Sequence, residues 1–152
     1  MTAPIEGKFE LGTDGPNVVL VGLDGSRTSW RATAWAVGLA RRQGSKLVVV
    51  HVHKPSASGS LAPGLAGAMS TVATEVAEEL EHYLVSRADE LGVPLRFISV
   101  VGDPWTELTR AADELRADIV VVGASESAGH RIIGSLAGRL VRAGRWPVSV
   151  VP

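Results

Sequence analysis

Cysteine is absent from this chain of 152 residues. That excludes disulfide frameworks, thiolate nucleophiles, Cys-ligated zinc and iron–sulfur clusters together, and it fits a reducing compartment. Long apolar runs are missing as well. The most apolar segments are short, such as Leu47–Val50, whereas spanning a bilayer takes ~20 residues. No basic region followed by an apolar stretch opens the chain, because Met1–Pro16 mixes Glu6, Lys8, Glu10 and Asp14 with Gly and Pro. No secretory signal is read there. Neither sign of charge is in excess, with 15 Lys and Arg against 16 Asp and Glu and a net charge of -1. No broad electrostatic field therefore invites nucleic acid or anionic lipid. The expectation is a cytoplasmic protein, with neither membrane nor nucleic acid among its partners.

What is present is an ordinary globular composition, 45% hydrophobic and 20% charged. A chain of this size forms one domain and buries roughly 68–70% of its unfolded surface, so it needs no metal staple. Met1–Pro16 reads as a flexible tail and Asn17–Pro152 as the domain. Five runs rich in Val and Ile stand out: Val18–Leu23, Leu47–His53, Leu95–Val101, Ile119–Val122 and Pro147–Val151. Most are apolar at consecutive positions, as strands are when both faces of a parallel sheet are covered. Helical stripes lie between them: Ala32, Trp35, Ala36 and Leu39; then Val72, Val76, Leu80, Tyr83, Leu84 and Leu91; then Trp105, Leu108, Ala112 and Leu115; then Leu136, Leu140 and Ala143. Gly44 and Gly92 stop the first two, and Asp103-Pro104 opens the third as an N-cap with proline behind it. Strand and helix alternate throughout, which predicts an α/β fold around a parallel sheet of about five strands. Lys54–Gly67 reads as a long loop and a candidate lid. Trp30, Trp35, Trp105 and Trp146 are read as core or interface.

Ligands of open parallel sheets bind beyond the carboxyl ends of the strands, where strand order reverses. That directs attention to Asp24–Ser29, His53–Gly67, Gly102–Pro104 and Gly123–Ser135. Asp24, ending the first strand, either accepts hydrogen bonds from a ribose or base or caps the next helix. Gly134-Ser135 presents free amides to an anion at a helix start, with His130 and Arg131 near in sequence to supply charge, or is a connection ending in a Ser N-cap. His51 and His53 share a strand face, yet no third ligand is evident and no metal site is expected. A P-loop lysine and a Gly-x-Ser-x-Gly elbow are both missing, which leaves no catalytic residue to nominate.

At these residues the chain resembles the universal stress protein family. The likeness rests on Val18–Ser26, Ala32 with Trp35-Ala36 and Leu39-Ala40, His51-Val52, Gly102-Asp103-Pro104 and Ala117-Asp118. The resemblance implies a three-layer, Rossmann-like sandwich of the adenine nucleotide alpha hydrolase type, with strand order 3-2-1-4-5 and helices on both faces. It also implies a homodimer through the last strand, Val148, Ser149, Val150 and Val151, and, in one branch of the family, bound ATP or a related adenine nucleotide. Carried over by residue, Asp24 would contact ribose or base, the Val52 backbone would read adenine, and Gly123, Gly134 and Ser135 would hold phosphate. The nucleotide-binding members share a Gly-x2-Gly-x9-Gly-Ser/Thr loop. Here Glu126 replaces the middle glycine, and only ten residues separate Gly123 from Gly134. A carboxylate ~4 Å from a phosphate costs ~1 kcal/mol in water and ~4 at an effective dielectric near 20. The expectation is therefore a dimeric, stress-related regulatory protein without turnover, its nucleotide loop degraded, acting through a protein partner. The alternative is a functional module for ATP or another adenine nucleotide, cyclic AMP included.

Overall fold

The computed structural model describes residues 15–54, 63–126 and 134–152. Five strands, β1 (Val18–Leu23), β2 (Lys46–His53), β3 (Leu95–Val101), β4 (Ile119–Gly123) and β5 (Val148–Val151), alternate with helices α1 (Arg27–Gln43), α2 (Pro63–Leu91), α3 (Pro104–Glu114) and α4 (Ser135–Ala143). The strands form one parallel sheet in the order β3-β2-β1-β4-β5. Fold class and strand order are those expected. The tail, apart from Gly15 and Pro16, lies outside the described residues.

Alternation along the inner strands divides the core in two. Val19, Val21 and Leu23 of β1 and Val49 of β2 pack beneath α1 and α2 with Ala32, Ala36, Leu84 and Ala88. Leu20, Val48, Val50, Val120 and Val122 face the other way, onto Leu108, Ala112, Ala137 and Leu140 of α3 and α4. Each layer buries apolar area worth ~25 cal/mol per Å², so both faces of the inner strands must be apolar. Asp118 pins the start of the sheet, its Oδ2 accepting from the amides of Asn17 (2.9 Å) and Val18 (2.8 Å).

The helix ends follow local rules. Gly44 is left-handed at φ 65°, where α1 stops, and Asp103 accepts from the Thr106 amide at 3.0 Å with Pro104 at the first helical position. Two expectations are corrected. The loop read over Lys54–Gly67 is shorter, because α2 begins at Pro63, a residue suited to a first helical position. The apolar stripe of α2 is also rotated. Ala77, Leu84 and Ala88 are buried, whereas Val72 and Tyr83 are 57% and 58% exposed. Small residues let the helix approach the sheet closely, so the large ones turn outward. Trp35 is exposed on α1 rather than packed in the core, while Trp146 is buried.

Candidate functional site

β1 lies between β2 and β4, and the chain leaves β1 and β4 toward opposite faces of the sheet. A crevice forms where two such connections part, and a cleft of about 750 Å³ opens there. Asp24, Val52, Gly123, Gly134 and Ser135, the five residues singled out for nucleotide, all line it. His130 and Arg131 fall outside the described residues.

Asp24 is not the helix cap. Ser26 is, accepting from the Ser29 amide at 3.2 Å, while Asp24 Oδ1 accepts from the Ser26 amide at 2.9 Å in the turn before it. Desolvation pushes the Asp24 carboxyl upward, but the hydroxyl and amide of Ser26 and the hydroxyl of Ser29 outweigh it and hold the group below its ordinary value. It is thus an exposed, ionised acceptor at the cleft wall, suited to hydroxyl donors.

Glu126 does not simply stand in the phosphate path. Its Oε1 accepts from the Thr28 amide at 3.3 Å, in the first turn of α1. An anion is favoured there by the helix dipole and the free amides, and Glu126 supplies it from within the chain. Among the described residues the first turn of α4 shows no such carboxylate. Gly134 is its N-cap and donates no side chain, and Ser135 is the first helical residue rather than the cap one reading of this segment offered. The two glycines also have a packing reason. A Cβ at Gly123 would lie 2.5 Å from the Thr28 carbonyl carbon, and one at Gly134 would lie 2.8 Å from Ser125 Cβ. Only glycine lets the β4 end and the α1 start approach this closely.

Two features were not legible in the pattern of motifs. Trp105 and Arg139 meet across the cleft wall, with the guanidinium carbon 4.5 Å from the indole centroid. The one clue to Arg139 was its place four residues after Ser135. His51 is 7% exposed, stands 4.1 Å from the His53 ring and leaves Nδ1 without a partner among the described residues. Burial first, then the neighbouring His53, hold its pKa below the ordinary histidine value, opposed in part by Asp24. His53 Nε2 is 2.9 Å from Ser99 Oγ. Among the described residues no three histidines or acids come together as a metal site. No described helix is long and apolar enough to cross a membrane.

A doubly wound parallel sheet with a cleft at its switch point defines a class of small-molecule-binding α/β domains. Within that class the chain belongs to the universal stress protein family, whose family model matches residues 16–152. It is 32% identical over 139 residues to universal stress protein Rv1636 of Mycobacterium tuberculosis, covering 88% of this chain and 94% of that one. A universal stress protein solved in complex with cAMP is 27% identical, with a TM-score of 0.65 and coverage of 90% and 97%. A universal stress family structure from Burkholderia pseudomallei is 29% identical, with a TM-score of 0.68 and coverage of 93% and 98%.

Proposed function

We propose that this chain is a regulatory member of its family that binds, without turning over, an adenine nucleotide carrying one phosphate group. The observation that carries this reading is the unequal state of the two helix starts at the cleft. Glu126 already fills the anion position of α1, whereas the N-cap of α4, Gly134, makes no side-chain cap hydrogen bond. Among the described residues this leaves the start of α4 as the anion position for a ligand. A polyphosphate would bring several further charges toward Glu126, each costing ~1 to ~4 kcal/mol at contact according to screening. A cyclic nucleotide brings one. The cAMP complex of a relative supports the same class of ligand. The protein is read as a cytoplasmic binder rather than a catalyst.

Titration calorimetry with cAMP, AMP and ATP tests this. The expected result is binding of cAMP or AMP with ATP at least about tenfold weaker, a difference of ~1.4 kcal/mol. Glu126→Gly should raise ATP affinity by about the same factor. A wild type that prefers ATP, or a variant that binds it no better, overturns this account of the loop.

A further inference from the structure

Arg139 sits on α4 one turn beyond Ser135, on the wall of the cleft. Its side chain leans toward the helix start, as long helical side chains do. A cation there opposes the helix dipole, so the position is locally unfavourable unless other groups support it. Two do. The indole of Trp105, on α3, lies 4.5 Å beneath the guanidinium. The Asp103 carboxyl is held low first by the Thr106 amide and hydroxyl and further by the charge of Arg139. The four ion pairs among the described residues engage Arg87, Arg110 and Arg145, and none engages Arg139. Among the described lining residues the carboxylates are those of Asp24, Asp103 and Glu126, and the lysine and arginine are Lys54, after β2 on the far side of β1, and Arg139. An anionic ligand entering beside α4 therefore finds the Arg139 guanidinium about one turn from the helix start.

We propose that Arg139 is the phosphate-recognition residue of the cleft, held in reserve on Trp105 beside Asp103 and passed to the phosphate when a nucleotide seats against the first turn of α4. This rests on the nucleotide reading above and deepens it. A guanidinium suits the task because its planar fork meets two phosphate oxygens at once, and because it stacks on an aromatic face while it waits. Asp103 then acts as a competitor for the same cation, weak because it is exposed and already bonded to Thr106.

Calorimetry with AMP, cAMP and adenosine, on the wild type and on Arg139→Gln, Arg139→Lys and Asp103→Asn, tests the assignment. Arg139→Gln should weaken both phosphate-bearing ligands at least about tenfold and leave adenosine within about twofold, and Arg139→Lys should fall between. Asp103→Asn keeps an N-cap and frees the cation, so AMP should bind about two to five times more tightly. AMP, but not adenosine, should change tryptophan emission, and Trp105→Phe should abolish that change. Equal losses for AMP and adenosine in Arg139→Gln would make the residue structural and overturn the proposal, as would no loss at all. A wild type that binds none of the three overturns the nucleotide reading and this inference with it, whereas one that binds them while ignoring Arg139 overturns the inference alone.

Discussion

His51 lies two residues before the end of β2, after a run of packed apolar residues, and its ring is buried with Nδ1 unpartnered among the described residues. Its proton is bound less readily in the folded chain than at the ordinary value of 6.5, chiefly through burial. The unfolded chain therefore takes up that proton first as pH falls, and stability is lost between the ordinary value and the lower folded one. The unfolding midpoint should decline as pH drops from about 7.5 to about 5.5, and His51→Leu should flatten that decline. An unchanged slope in the variant would place the titrating group elsewhere. The lowered carboxyls of Asp24 and Asp103 act in a separate, more acidic window, near and below 3.8. Asp24 yields a second prediction. Asn can still accept from the Ser26 amide, and Ser26 rather than Asp24 caps α1. Asp24→Asn should thus leave the melting temperature nearly unchanged while weakening nucleotide binding; a large loss of stability with binding intact would assign Asp24 to the scaffold.

The β4 end and the α1 start form the element-level device on which the cleft depends. Thr28 Oγ1 donates to the Ala124 carbonyl at 2.6 Å, and the Thr28 amide takes Glu126, so the two segments are joined side by side. Gly123→Ala places a methyl group against Thr28 backbone. Overpacking of that kind costs ~1–3 kcal/mol, and here it should also displace Glu126 from its amide. Thermal unfolding should show the loss, and a fully stable variant would mean that the segments can part freely. None of this was legible from the motif, in which Gly123 and Glu126 read only as phosphate-loop positions. The strands, by contrast, were legible to within a residue. A buried parallel strand must be apolar on both faces, and runs such as Val18–Leu23 admit few other structures. The stripe of α2 misled because Val72, Val76 and Tyr83 obey helical spacing while the sheet selects alanines on the adjoining face. Periodicity identifies a helix but does not say which of two apolar faces is covered. Arg139 was invisible because only the packing of α3 against α4 brings it to Trp105.

At the scale of the whole molecule the open question is the sheet edge. β5 closes one side of the sheet and, among the described residues, pairs with β4 alone. Its four residues, Val148, Ser149, Val150 and Val151, are all partly exposed, and none is charged. Natural edges are protected by charge, bulges or internal proline, and here Pro147 and Pro152 only bracket the strand. Arg31 does reach the carbonyl of Pro152, at 3.3 Å, but that contact lies beyond the strand itself. Trp146 is buried beside Arg145, which pairs with Asp113, so the indole is part of the core and adds nothing to a rim. We infer a homodimer in which β5 meets its own copy about a two-fold axis, satisfying the free edge and covering the valines. Pro147 and Val151 turn their carbonyls to β4, so the alternate residues Val148 and Val150 face the open edge. Val150→Pro would remove an edge donor and Val150→Lys would set a charge in the contact. Light scattering coupled to gel filtration should find a dimer for the wild type and a shift toward monomer in both variants, with circular dichroism confirming that each remains folded. A wild type that is monomeric at tens of micromolar, or folded variants that stay dimeric, would move the interface away from β5.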